Sequence, residues 1–220
     1  MESNSADTIL AACPVVEAAV GEPHFHASFH GAKLLAVEQG FIVLRSTPDG
    51  LARSIVTCEA GPGGLLLPPT DDEVLFALVP SRLIEIDRDA CDGLLATPET
   101  ARFLLESIER TLSQKREALG NFAHTRHIER VRRKLLQLAE SHGRVVRGGI
   151  RIDFPVSHAL LADMIGSSRE TVTRALDELQ QTGFVARRGH TYRLLVAPSR
   201  CDSDHNVPGN TPPTIETRWG

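Results

Sequence analysis

Apolar residues follow two different rhythms along this chain. Between Phe25 and Asp87 they come in short runs rich in Val, Ile, Leu and Phe: Lys33–Val37, Phe41–Arg45, Ser54–Cys58, Val74–Val79 and Leu83–Ile86. Turn punctuation separates them, at Gln39-Gly40, Thr47-Pro48-Asp49-Gly50, Gly61-Pro62-Gly63-Gly64 and Pro68-Pro69. Short, closely spaced strands of this kind predict a small antiparallel barrel or sandwich. The first 23 residues, Ala- and Ser-rich around Pro14, predict an arm or short helix. From Thr97 the rhythm becomes helical, opening on an N-cap, a proline and an early acid in Thr97-Pro98-Glu99. Ala101, Leu105, Ile108, Leu112, Leu119 and Phe122 then trace a heptad seam over about three heptads, with Lys115 in the skipped position. Such a seam suits a helix pairing with its own copy. The plain alternative is an amphipathic helix lying on its own domain. The charged flanks Arg102, Glu106, Glu109, Arg110, Arg116 and Glu117 favour the dimer, with Leu105, Ile108, Leu112 and Leu119 at the seam. Lys115 at a two-fold axis is then expected to meet Glu117, an anionic ligand or solvent. Gly120-Asn121 reads as a hinge, and Arg126–Ser141 as a second amphipathic helix with Ile128, Val131, Leu135 and Leu138 on one side.

Past a turn at His142-Gly143 and a short strand at Gly149–Phe154, two helices follow in tandem, each begun by a serine N-cap: Ser157–Ile165 and Ser168–Gln181. Gly166 makes the turn between them, and Gly183 suits the left-handed position that ends the second. Phe184–Arg187 and Thr191–Val196 read as a hairpin, and the Pro-, Asn-, Asp- and Ser-rich stretch beyond Pro198 as a disordered tail. The tandem is a helix-turn-helix. Val172, Leu176 and Leu179 point to the core, which leaves Arg169, Glu170, Thr173 and Arg174 facing outward on the half that enters a major groove. Arg donates to guanine O6 and N7 and a carboxylate accepts from cytosine N4, so these are the expected base readers. The expected fold class is α+β: an N-terminal small antiparallel β-roll of cupin-like build (1–96), a long dimerisation helix and hinge (97–124), a C-terminal winged helix-turn-helix (125–197) and the tail (198–220).

Composition adds limits, and charge adds an asymmetry. The 220 residues are 41% hydrophobic and carry four scattered cysteines (Cys13, Cys58, Cys91, Cys201), neither a disulfide framework nor a zinc ribbon. No apolar run approaches membrane-spanning length and the N-terminus lacks the form of a signal peptide, so a cytoplasmic protein is expected, nucleoid-associated when DNA-bound. Residues 1–123 carry 9 Lys and Arg against 18 Asp and Glu, a balance of −9, whereas residues 124–197 carry 13 against 7, a balance of +6. A basic segment inside an acidic chain is the electrostatic footprint of a nucleic-acid-binding domain joined to something else.

The run Ile-Gly-Ser-Ser-Arg-Glu-Thr-Val-Thr-Arg-Ala-Leu (165–176), with Thr-Gly-Phe-Val-Ala-Arg-Arg-Gly (182–189) after it, resembles the DNA-binding domain of the catabolite activator protein (Crp/Fnr) family of bacterial transcription regulators. The order of β-rich domain, long helix, hinge, helix and winged helix-turn-helix matches as well. The resemblance implies that Arg169, Glu170 and Arg174 read TGTGA-like half-sites. It implies that Ser168 and Thr171 contact phosphate, joined by Ser157 and His158 from the preceding helix, and that RNA polymerase is a further partner. The N-terminal half departs from the family's cyclic-nucleotide cassette: Asp71, Asp72 and Glu73 fall where an Arg-Ser or Arg-Thr pair would hold the cyclic phosphate, and would repel an anion. The positions where the family touches adenine align with Lys115 and Arg116, the effector-site candidates. Cyclic AMP is therefore not the expected effector, and no cofactor is expected.

His24, His26 and His30 raise a different possibility. On a strand His24 and His26 would share a side, as haem or metal ligands might, although no nearby acid or cysteine completes the set. The competing reading of the chain is thus a cupin-type metal-dependent enzyme, or a metal or haem sensor, built on that cluster. A third reading makes the β-domain a protein-interaction module. No acid–base or nucleophile constellation supports catalysis, so the expectation is a DNA-binding homodimer and not an enzyme.

Overall fold

The computed structural model describes residues 4–29, 31–47, 54–121 and 126–195; the side chains of 4–7, 114 and 117–121 also fall outside the description. Gly120 and Asn121, read as a hinge, are instead the last residues of the helix Pro98–Asn121, whereas Phe122, the tail and His30 lie outside the described residues, as does the Leu119 side chain.

Helix α1 (Asn4–Ala11) leads into β1 (Val15–Ala18) and β2 (Pro23–His24). The roll is then built on two long strands, β3 (Leu34–Ser46) and β6 (Glu73–Ile86), with β4 (Ile55–Ala60) and β5 (Leu65–Leu66) between them in sequence. The sheet runs in the order β1-β6-β3-β4, with β2 on β6 and β5 on β3, all antiparallel. Each long strand absorbs two of the predicted short ones. The punctuation at Gln39-Gly40 makes a bulge where a turn was expected: the β3–β6 register shifts around Gln39 and Phe41, and Pro80 sits exposed in the same bulged stretch. Gly40 has φ of 92°, and any Cβ there would overlap Ser81, whose hydroxyl accepts from the Phe41 N–H at 3.1 Å. β1 pairs Val15 with Ile84 where an arm was expected, and α2 (Arg88–Leu95) was not foreseen, although Asp87 caps it by accepting from the Ala90 N–H at 2.9 Å.

The long helix α3 (Pro98–Asn121) presents two faces. Leu104, Ser107 and Thr111 are buried against the roll, and the Thr111 hydroxyl reaches the Leu65 carbonyl at 3.2 Å. Leu105 and Leu112, one turn further round, are 58% and 56% exposed. Helix α4 (His127–His142) follows, then a sheet in the order β7 (Gly143–Val146), β8 (Gly149–Ile152), β10 (Thr191–Leu194), β9 (Val185–Arg188), enclosing α5 (His158–Ile165) and α6 (Arg169–Gln181). β7 replaces a predicted turn. One buried cluster joins Val131, Leu135, Leu161, Val172, Leu176 and Tyr192 to Phe41, Val43 and Val56 of the roll, so the two halves share a core.

Candidate nucleic-acid interface

Two serines set the geometry of the helix pair. Ser157 Oγ accepts from the Leu160 N–H at 3.0 Å and Ser168 Oγ from the Thr171 N–H at 3.1 Å, satisfying donors that a helix start leaves without partners. Gly166 takes the left-handed conformation (φ 61°, ψ 45°) that closes α5, and Ala162 is small enough to be buried at the crossing. On α6, Val172, Ala175, Leu176 and Leu179 are buried. Arg169, Glu170 and Arg174 are exposed together on the opposite side, as their spacing predicted.

Thr173 is half-buried and differs from those three. Its hydroxyl donates back to the Arg169 carbonyl at 2.8 Å, and His158 Nδ1 lies 2.7 Å from the same oxygen. The threonine proton being committed, His158 must donate from Nδ1. Burial first, then the charges of Arg187 and Arg169, hold the His158 imidazole below its ordinary titration range, consistent with this neutral form. The predicted phosphate contact at His158 is therefore coupled to a predicted base reader. Its Nε2 is buried with no hydrogen-bond partner among the described residues. Ser168 and Thr171 also bond each other through their hydroxyls at 2.9 Å.

Beside α6, the wing turn brings Arg187, Arg188 and His190 to the surface around Gly189 (φ 61°). The hairpin read from the sequence put Arg187 at the end of its first strand and Arg188-Gly189-His190 in its turn, but gave them no role in the site. The alternation of polar and apolar positions through 185–194 carried that signal.

The helix-turn-helix is locked to the roll by contacts no local pattern announces. Lys134 Nζ meets both Glu59 carboxylate oxygens at 2.8 and 2.9 Å and Gln137 Oε1 at 2.7 Å, with Glu59 and Lys134 both buried. Arg45 reaches Asp163 of α5 at 3.3 Å, and the Phe41 ring stacks on Phe154 with centroids 3.7 Å apart. The His142 ring stands edge-on to Phe41 at 4.8 Å, and burial pushes its imidazole below the ordinary value.

The effector-site candidates are differently placed from what a dimer axis required. Lys115 turns into the roll and donates to Glu73 Oε1 at 2.9 Å; the Glu117 side chain, named as a possible partner, lies outside the described residues. The buried Glu73 also accepts from the Thr57 hydroxyl at 3.0 Å and the Thr70 N–H at 3.3 Å. Arg116, Asp71 and Asp72 are exposed. A hydrogen bond from Thr70 leads the effects that hold Asp72 below its usual range. Between the roll and α3 lies an apolar cleft of about 330 Å³ lined by Leu34, Leu66, Ile108 and Leu112, with Lys115 at one side. The neighbouring Cys58 is buried, and that burial, with the Glu59 charge, pushes its thiol up to about 12.

Neither His24 nor His26 belongs to a metal-ligand cluster among the described residues, and His30 lies outside them. His24 ends β2 and is buried near Phe29, whereas the chain leaves the strand at Phe25 for a short 3-10 turn. His26 is thereby exposed on another side, bonded through Nδ1 to the Pro69 carbonyl at 2.8 Å. Among the described residues no cluster of three metal-binding side chains occurs, and no helix is long and apolar enough to cross a membrane.

Residues 129–197 match the Crp-like helix-turn-helix domain family. Over 119 residues the chain is 32% identical to the CRP-like cAMP-activated global transcriptional regulator of Mycobacterium tuberculosis, covering 54% of this chain and 52% of the relative. The chain thus spans about half the length of the curated relatives it matches. Among solved structures, a Crp/Fnr-family transcriptional regulator of Thermus thermophilus superposes with a TM-score of 0.62 at 20% identity, over 83% of this chain and 94% of that one. A cyclic nucleotide-binding domain containing protein of Listeria monocytogenes gives a TM-score of 0.71 at 19% identity, over 87% and 97%. The shared architecture is that of a roll, a long helix and a helix-turn-helix.

Proposed function

We propose that the chain is a transcription regulator of the Crp/Fnr family, a homodimeric, sequence-specific DNA-binding protein reading inverted TGTGA-like half-sites; the Crp-like helix-turn-helix match over 129–197 and the 32%-identical relative support this reading. The observation that carries this reading is the division of α6: four apolar side chains buried, and Arg169, Glu170 and Arg174 exposed at its capped N-terminal half. Two arginines able to take guanine and a glutamate able to take cytosine give the half-site its base pattern. Ser157, Ser168 and Thr171, at the starts of α5 and α6, hold backbone phosphate.

The dimer forms through α3, where Leu105, Ile108 and Leu112 make an exposed apolar row, with Ile108 and Leu112 at the rim of the cleft beside the roll. Two-fold pairing places the half-sites one helical turn apart, about 34 Å. The regulator works without cyclic AMP, although its Mycobacterium relative is described as cAMP-activated. Glu73 already occupies Lys115 where an anionic effector would need it. RNA polymerase is the second partner, and the place of action is the nucleoid in the cytoplasm.

Selection of binding sites from random duplex DNA tests the reading, with an inverted repeat the expected product. A non-palindromic site, or one recovered equally by Arg169→Ala and Arg174→Ala, refutes it. Light scattering on Leu112→Glu should show a monomer.

A further inference from the structure

Thr173 is a base-reading candidate whose polar group is already engaged inside the protein. Its hydroxyl donates to the Arg169 carbonyl, one helical turn back, at 2.8 Å and accepts from His158 Nδ1 at 2.7 Å. A threonine hydroxyl has one proton to give. With that proton held along the helix, this position cannot donate to a base edge. What remains is the methyl group, which branches from the same Cβ and so cannot share the side that the hydroxyl takes.

The bond to Arg169 does not fix the side chain by itself. A threonine in a helix divides between two χ1 rotamers, and a single hydrogen bond open to water adds little to either. His158 supplies the second tie from the other helix of the pair, where it is the first residue of α5 and follows the Ser157 cap. Its Nε2 is buried with no hydrogen-bond partner among the described residues. An unmatched buried nitrogen works against folding, and an apolar side chain at 158 would avoid that cost. The bond to Thr173 is what a histidine adds. The ring is ill suited to holding phosphate, because burial and then the Arg187 and Arg169 charges favour its neutral form. A neutral imidazole protonated on Nδ1 offers only a lone pair at Nε2.

We propose that His158 is a positioning residue for base reading: by holding the Thr173 hydroxyl against α6 it leaves the methyl as the group offered to the groove, and so gives each half-site a preference for thymine at one position. The inference rests on α6 being the recognition helix. The feature recognised is the thymine C5-methyl, which an apolar side-chain contact reads in the major groove. A hydroxyl free to turn would bond to several bases instead, and the preference would fade.

The test uses the full-length protein and the selected inverted repeat, with each thymine of the half-sites replaced in turn by deoxyuridine, which removes only the methyl. For wild type, one such replacement should cost about fourfold in affinity, the worth of one methyl-sized apolar contact. Thr173→Ser keeps the hydroxyl and lacks the methyl, so it should abolish that cost. His158→Leu fills the same space without a donor and should abolish most of it, leaving the costs at other thymines unchanged. His158→Asn, whose side-chain amide still donates, should restore it. Thr173→Val has no hydroxyl to hold and should keep the cost with or without His158→Leu. If no deoxyuridine cost depends on residue 158, the proposal is overturned. It is also overturned if His158→Leu weakens all sequences alike or only lowers the urea midpoint, because the histidine is then a phosphate contact or a structural residue. If the selected site is indifferent to Arg169→Ala, α6 is not the reader and this inference falls with that reading.

Discussion

Charge is used in opposite ways in the two halves of this molecule. At the roll and its junction with α4, charged groups turn inward and find each other: Glu59 with Lys134, and Glu73 with Lys115. On α6 and the outer face of the small sheet they turn outward, with one carboxylate, Asp153, bridging Arg144 and Arg151. A buried pair contributes little net stability against apolar residues of the same shape, but it fixes one arrangement, since separating the partners strands a charge. An exposed arginine contributes almost nothing to folding and stays available to a phosphate or a base. In the roll the cations of these two pairs are already met by carboxylates, whereas the arginines of α6 stand exposed.

The sharpest way to break this contrast is at Glu59. Glu59→Ala leaves Lys134 buried and should lower stability by about 3–5 kcal/mol in urea unfolding. Glu59→Leu with Lys134→Met should recover most of that. A loss under about 1 kcal/mol for the single variant would place the pair in solvent and dissolve the distinction between the halves.

Next in size is Arg169. Its change to alanine should leave unfolding unaltered and cost about 1–3 kcal/mol of binding, relaxing preference at one guanine. Destabilisation of the fold instead would mean that this arginine, too, serves the interior. Ser168→Ala sits between the two regimes, because Ser168 caps α6 and is also proposed to hold phosphate. About 1 kcal/mol of stability should go, and affinity should weaken for all sequences alike.

The smallest effect concerns His142 at the junction. Its folded-state titration lies below the ordinary 6.5 because burial disfavours the imidazolium. As the pH falls through that ordinary value the unfolded chain takes up a proton that the folded chain refuses, so the stability present above it declines in acid. His142→Phe should flatten this decline between about pH 7.5 and 5.5, as read by urea midpoints. An equally steep decline in the variant would assign it to other groups.

Legibility in the sequence followed the range of the interactions. Helices α3, α5 and α6 were readable, with their caps and turns, because capping and amphipathic spacing act within one or two turns of the chain. Strand boundaries in the roll were not. Gly40 read as a break, and only the partner strand converts it to a bulge by supplying Ser81 beside the glycine. The histidines show the same dependence on tertiary structure: His24 and His26 alternate as if on one strand, but the strand ends at His24.

What the sequence by itself determined is the recognition element: two serine caps, Gly166, and a helix whose apolar residues repeat so that Arg169, Glu170 and Arg174 must share the other side. Those features are local, so tertiary packing had only to bury the side already marked. What only the tertiary structure decided is how that element is held and extended. Glu59 and Lys134 are 75 residues apart, and Phe41 meets Phe154 across the two halves. Arg144, Arg151 and Arg193 stand in one row because strand register, set by pairing partners distant in sequence, aligned three side chains that the chain itself keeps apart.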